Sequence, residues 1–462
     1  MDLNSETIAE KLATFYSSLK YDAIDNTVIS KARFSLIDFL ATLCVGYKKG
    51  DLTPVINGYV LGIGGTPEST ILCVQKKVPA IHAAFSMGVM SHAVELDDGH
   101  RFGTAHPAVS VIPAVLAIAE RNSKSFQDIL LAIIVGYDIM LRIARAINPS
   151  HLRRGFHSTG TCGSIGAAGA CASLMKLNST DMTYAISLGG LQSAGLQEML
   201  HEHPAVKPIQ PGKSASAGVL AADLVKLGAK SPRSIFEGKH GWLKAMTDNF
   251  SLDDIISDLG FRWEIMFTYT KLYPTCRHCH PVLDLGLEAR KAPGFSIDNI
   301  KVINIYTYDI AISEVGNIFY PKNFDEAMFS MPYAFARVLR DGKVTLQSYR
   351  TEQIHDENIK KIIAKIRIHP DERMNSLYPR ERGARIRIDY ENGGSFNKHT
   401  TMPRGEPEKP LTTEELYAKI ENLLGTYYPE PFITQLWDLC VNKKTDRVSY
   451  ADIVELFGKY SL

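Results

Sequence analysis

Along the first 262 residues, apolar positions recur mostly at three- and four-residue steps, the rhythm of helices with one buried face. Ile8, Leu12, Phe15 and Leu19 keep that step, and SLIDFLATLCVG, residues 35–46, is apolar on most sides, as a buried helix would be. More helical stretches run from Val78 to Glu120, interrupted by LDDGHRFGTAHP, residues 96–107, whose glycines, charges and proline mark a loop. Between Thr159 and Ala172, glycines at 160, 163, 166 and 169 recur among alanines and serines, which predicts a smooth helix face for close packing. After about residue 262 the pattern becomes alternating: NIKVINIYTY, IAKIRIHP and ARIRIDY read as half-buried strands, with helical texture persisting in FDEAMFSMPYAFARVLRDG. The breaker-rich MPRGEPEKP closes that region, and TTEELYAKIENLL returns to a threonine-capped amphipathic helix. The expected fold is mainly α. A large all-helical domain takes residues 1–262 and 405–462, and a smaller α+β domain, 263–404, is inserted before the last helices.

Composition narrows the function. The 462 residues are 45% hydrophobic and 22% charged, close to an ordinary globular balance. With 51 Lys+Arg against 50 Asp+Glu the net charge is +1, so no global field recruits nucleic acid or an anionic membrane. Any anion site must be local. Seven cysteines, an odd number scattered along the chain, are unlike a secreted disulfide framework, and a reducing cytoplasm is expected. The first residues lack the basic-then-apolar run of a signal peptide, and the strongest apolar stretch, Ile129 to Tyr137, is too short to span a bilayer. Pro67 breaks a dinucleotide fingerprint after Gly62 and Gly64, and Lys207 stands where a P-loop ending in Gly212-Lys213-Ser214 needs its first glycine. A nucleotide cofactor is not indicated.

Four segments concentrate ionisable residues. The first, His92 to His106, holds Glu95, Asp97, Asp98, His100, Arg101 and His106; Asp97, Asp98 and His100 read either as metal ligands or as caps and loop anchors, and His106 before Pro107 suits acid/base work. The second, HLRRGFHSTGTCG, sets Arg153, Arg154 and His157 before the glycine-rich helix, whose N-terminus favours an anion. The third, AVKPIQPGKSASAG, brings Lys207 and Lys213 before another helix of small residues. The fourth, KLYPTCRHCHP, holds Lys271 in a proline-stiffened stretch with Cys276, His278, Cys279 and His280, half of a zinc site by spacing.

Read together and in order, SHAVELDDGHRFGTAHP, GFHSTGTCGSIGAAGA, AVKPIQPGKSASAG, YTKLYPTCRHCHP and FSMPYAFARVLRDG resemble the MmgE/PrpD family across essentially the whole chain. That family includes 2-methylcitrate dehydratase, cis-aconitate decarboxylase and iminodisuccinate epimerase. The resemblance implies the two-domain fold above, a homodimer, a small polycarboxylate substrate, and no metal, flavin or nucleotide cofactor. It assigns catalytic positions to His106, His157, Lys207, Lys271 and Tyr333, with Glu95, His100, Arg101, Arg154, Lys213, Cys276 and His278 as substrate-binding candidates. Glu95 and Cys276 depart from the decarboxylase branch, which has Asp and His there. The expected activity is therefore proton abstraction next to a carboxylate or imine of a di- or tricarboxylate, giving epimerisation or dehydration; the alternatives are decarboxylation of cis-aconitate and a metal-dependent reaction at Asp97, Asp98 and His100.

Overall fold

The computed structural model describes residues 5–202 and 204–461. It contains two compact units, one combining the described residues of Met1–Ala93, Asp97–Thr268 and Thr412–Leu462, the other Val94–Leu96 and Tyr269–Leu411.

The first unit is a stack of helices. Asn26–Lys49 opens on an Asp25 cap that accepts the Thr27 N–H, and its stretch from Ser35 to Gly46 is buried, in keeping with its apolar surface. Phe126–Ile147 starts in a Ser125/Asp128 capping box, in which each side chain satisfies a backbone donor at the helix start. Ser158–Leu174 carries the glycine row. A three-residue step on a 3.6-residue helix turns the row by about 60° each time, so the glycines meet different neighbours and not one partner helix. Gly160 faces Ala194 and Gln210, Gly163 faces Ser110 and Ser214, Gly166 faces Met140 and the Gly136 backbone, and Gly169 faces Ile139.

The chain's last segment is tied to this unit by charge. Lys419, on the helix Thr413–Leu424, lies 2.5 Å from the buried Asp38, and the Arg33 guanidinium donates to the carbonyls of Cys440, Val441 and Lys443. Several details depart from an all-helical domain over residues 1–262 and 405–462: residues 94–96 and 405–411 fall in the second unit. Ser69–Ile71 pairs antiparallel with Lys76–Val78. Residues 263–268 stay with the helical unit because the Glu264 N–H donates to Asp138 and its carboxylate meets His100 and Arg262.

In the second unit the three alternating segments form strands, and a fourth joins them. The order across the sheet is Ile366–Pro370, Ile300–Thr307, Ala384–Tyr390, Ser395–Thr400; the first pair is parallel and the other two are antiparallel. Ser395–Thr400 is a mostly exposed edge strand, and its polar sequence has no core face to announce it. The helices His280–Lys291 and Met331–Asp341 pack on each other, and the former also covers Ala384–Tyr390. Among the described residues, no helix is long and apolar enough to cross a membrane.

The helix Ile209–Lys226 packs against the glycine helix so closely that a Cβ at Gly218 would stand 2.4 Å from the Ala167 Cβ and 2.6 Å from its backbone carbon. Alanine is the better helix former by about 1 kcal/mol, yet overpacking costs about 1–3 kcal/mol. Gly218→Ala is therefore expected to lower the unfolding free energy in urea denaturation; an increase would contradict this packing.

Candidate active site

The loop between the helices Ala80–His92 and Ala108–Arg121 builds the first cluster. His92 and His106 both aim Nδ1 at the same carboxylate oxygen of Asp97, each at 3.0 Å, with ring centroids 5.0 Å apart. The His106 Nδ1 also lies 2.7 Å from the Asp98 carbonyl oxygen, which can only accept. Nδ1 therefore carries the proton, and Nε2 of the neutral ring carries the lone pair. Asp98 plays a different part. Its side chain accepts the Ala108 N–H at the helix start and the Tyr137 hydroxyl at 2.8 Å, and burial pushes its carboxyl up to about 7.

His157 sits buried at the N-cap of the glycine helix. Its Nδ1 lies 2.7 Å from Gln210 Oε1, and the amide nitrogen of Gln210 donates to the Leu196 carbonyl. The amide is thus oriented with its oxygen toward the ring, and His157 too bears its proton on Nδ1. Burial, then the charge of Lys207, then His92 and His106 push its pKa well below the usual imidazole range. It is a neutral acceptor beside a buried cation. Thr159, two residues on, accepts the His106 N–H through its hydroxyl, so one helix start supports both histidines.

The second cluster belongs to the second unit. Glu95, held at a left-handed φ of 51°, pairs with Lys271 at 2.9 Å, both side chains buried. A non-glycine residue in that conformation is strained and persists only where its surroundings fix it. The loop from Lys271 to His280 is pinned along its length: Tyr273 donates to Asp284, the Thr275 hydroxyl and Cys276 N–H to the Met328 carbonyl, and Arg277 to Glu406 and the Arg404 carbonyl. Cys276, His278 and Glu314 each offer a ligand atom within 4.8 Å of the others. Burial, with Glu314 and Glu95 nearby, pushes the Cys276 thiol up to about 12.

The remaining candidates are engaged elsewhere. His100 Nδ1 accepts the Gly103 N–H and its Nε2 lies 3.1 Å from Glu264. Burial works to raise the Glu264 carboxyl, but His100, Arg145 and Arg262 together hold it down to about 2. Arg101 is buried with its guanidinium over Phe102, Arg154 pairs with Asp248 near the surface, and Lys213 donates to the Gln192 carbonyl. The Tyr333 hydroxyl donates to the Ser348 carbonyl at 2.5 Å. Asp97, Asp98 and His100 thus face three different sets of partners and do not form one ligand set. Cys279 is likewise outside the group that gathers Cys276, His278 and Glu314.

Sequence reasoning gave His92, Gln210 and Glu314 no role. His92 is separated from Asp97 by the loop's entry, and a lone glutamine or glutamate on an unpatterned stretch gives no signal until the fold brings it to its partner.

Comparison with known proteins also divides the chain in two, but the second match runs on into the C-terminal helices of the first unit. Residues 10–254 match the MmgE/PrpD N-terminal domain and residues 273–441 the MmgE/PrpD C-terminal domain. The chain is 25% identical to the cis-aconitate decarboxylase of Homo sapiens over 434 residues, covering 90% of this chain and 87% of that one. It is 24% identical to a cis-aconitate decarboxylase-like protein of Aspergillus oryzae, covering 98% and 97%, and 24% identical to the cis-aconitate decarboxylase of Aspergillus terreus, covering 95% and 94%.

The electrostatics of the first cluster have a direct check by NMR titration of the imidazoles. His157 is expected to stay neutral well below the usual pH of histidine protonation, about 6.5. Lys207→Met removes a repelling charge, so the His157 pKa is expected to rise; no movement, or a fall, would show that Lys207 does not act on this ring.

Proposed function

Since the chain belongs to the MmgE/PrpD family, with its two domains matched over residues 10–254 and 273–441, we propose that it removes a proton next to a carboxylate of a small di- or tricarboxylate, with epimerisation or dehydration as the outcome. One observation carries the reading: His106 is held with Nδ1–H between Asp97 and the Asp98 carbonyl, which leaves Nε2 as a base whose protonated form the Asp97 carboxylate stabilises.

The step is difficult because negative charge builds on a substrate that is already anionic. A buried ammonium meets that difficulty, since opposed charges in a dry site interact far more strongly than in water. Lys207 has this role in the first unit. His157, kept neutral, accepts a hydrogen bond or a proton from the substrate without adding a competing positive charge. For the second unit the reading assigns carboxylate binding to Lys271, whose ammonium Glu95 holds, and proton return to Tyr333, whose hydroxyl must first leave the Ser348 carbonyl. Glu95, Cys276 and His278 line the substrate's surroundings in this reading, together with His100, Arg101, Arg154 and Lys213. Of these, His100, Arg101, Arg154 and Lys213 also meet Glu264, Phe102, Asp248 and Gln192, while Glu95 pairs with Lys271 and His278 with Tyr308 and Glu314.

A second reading, decarboxylation of a cis-aconitate-like acid, draws on the names of the relatives, which span 87% to 97% of their own lengths in the match. Glu95 and Cys276, the two departures from that branch, favour the first reading.

Incubation in D₂O with 2-methylcitrate, iminodisuccinate, citrate and cis-aconitate, followed by proton NMR, separates these outcomes. Deuterium uptake with inversion marks an epimerase, water loss a dehydratase, and release of CO₂ the decarboxylase. His106→Asn is expected to slow the reaction by at least about 10²-fold, the usual contribution of a general base. Full activity of that variant, or no exchange with any of the four acids, would overturn the proposal.

A further inference from the structure

We propose that His92 is a positioning residue for proton abstraction: its Nδ1–H anchors Asp97 in the ionised form, aimed at His106. The inference rests on the reading of His106 as the base and adds the group that keeps its carboxylate partner charged. His92 is the last residue of the helix Ala80–His92, and five residues later the chain brings Asp97 back to it through the left-handed turn at Glu95. Its Nδ1 stands 3.0 Å from Asp97 Oδ2, the same oxygen that His106 Nδ1 meets at 3.0 Å. A ring lone pair set that close to a carboxylate is repelled, so His92 presents an N–H there. A carboxylate oxygen has two lone pairs, which leaves room for both imidazoles, their centroids 5.0 Å apart.

Asp97 needs the second donor. Its side chain is fully buried, and a buried carboxylate without donors takes up a proton instead of staying charged. Neighbouring acids push the same way. Asp98 follows it in the chain, and Asp38, on the helix Asn26–Lys49, lies close enough for the like charge of Asp97 to raise its carboxyl. Other charged groups nearby act mainly on those neighbours: Lys419 pairs with Asp38, Lys31 draws on both Asp38 and Asp98, and the Tyr137 hydroxyl donates to Asp98. From the glycine helix, His157 lies within electrostatic reach of His92, His106 and Lys207.

A neutral Asp97 does nothing for His106. When Nε2 takes the proton from the substrate's C–H bond, the electron pair stays on the carbon and the ring becomes a cation, which an ionised Asp97 stabilises. The tautomer of His106 does not depend on this, since its Nδ1–H also has the Asp98 carbonyl. His92 has a side chain with no exposure, against 14% for His106, so it meets no substrate and acts through Asp97.

The test reads Asp97 itself. Protein carrying ¹³C in its aspartate carboxyls is titrated by NMR without substrate, and the Asp97 signal is assigned by its loss in Asp97→Asn. In His92→Leu the Asp97 inflection is expected to move up by about 1–2 pH units, the usual weight of a lost hydrogen bond to a charged group. In His92→Asn, which retains an N–H near the position of Nδ1, the inflection is expected to stay close to its original pH. Leucine and asparagine have nearly the same shape, so the space left by the ring is common to both and the N–H is the difference. Turnover follows the same order: kcat at least about tenfold lower in His92→Leu with KM within about twofold, and most of the rate recovered in His92→Asn. An unmoved Asp97 inflection in His92→Leu, an equal rise in His92→Asn, or an effect on KM alone would overturn the proposal. The carboxyl titration needs no turnover, so the two readings fail separately: full activity of His106→Asn sinks the base, and an unmoved Asp97 beside an inactive His106→Asn sinks the role of His92 alone.

Discussion

Two missing side chains make the first cluster possible. A Cβ at Gly160 would stand 3.0 Å from Gln210 Oε1 and 2.7 Å from the Ala194 carbonyl oxygen, and one at Gly195 would stand 2.8 Å from the same Oε1. The Gln210 amide reaches His157 only because both positions are glycine. From that contact follows the His157 tautomer, while burial and the charge of Lys207 keep the ring a neutral acceptor. The same helix start supplies Thr159 to the backbone of His106, so the packing of the glycine helix sets the positions of both histidines. The glycine row is thus a structural feature with a chemical consequence. Its close packing holds the helix where its N-terminal turn can serve the site.

A second constraint is electrostatic. The interior of this chain contains many charges, and they come in partnerships: Asp38 with Lys419, Asp138 with Arg142 and Tyr16, Glu264 with His100, Glu95 with Lys271, Arg277 with Glu406. Removing one member of such a pair leaves a charge that the interior cannot solvate, at a cost of several kcal/mol. Each partnership therefore specifies the position of the segments it joins. The C-terminal helices are fixed to the first unit by Lys419, and residues 263–268 by Glu264. A net charge of +1 is the sum of these local balances, and it conceals the cationic positions at Lys207 and Lys271.

Much of the fold was legible because it rests on periodicity. Strict alternation announced Ile300–Thr307 and Ala384–Tyr390, and three- and four-residue steps announced the helices that bury one side or all sides. The edge strand Ser395–Thr400 and the short hairpin at Ser69–Val78 lacked a signal, since neither has a run of residues with one consistent buried face. At the site, density of ionisable residues picked out the right segments but not the partnerships. Asp97 and Asp98 are neighbours in sequence with identical side chains, yet one joins two imidazoles and the other caps a helix. His278 meets Tyr308 and Glu314 across some thirty residues of chain, a distance at which no local pattern can report a contact. Glycine spacing was visible, but the turn of about 60° per step means that it does not describe a single face.

Backbone and side-chain acceptors fix both histidines with the proton on Nδ1, His157 beside the buried Lys207, and the proposed chemistry rests on that arrangement. Long-range proton–nitrogen correlation NMR on ring-labelled protein at neutral pH reads the tautomer of each imidazole directly. His106 and His157, assigned by the loss of their signals in single variants, are both expected to show a protonated Nδ1 and an unprotonated Nε2. A protonated Nε2 with a bare Nδ1 at His106 would contradict this arrangement, because the proposed base would then have no lone pair to use.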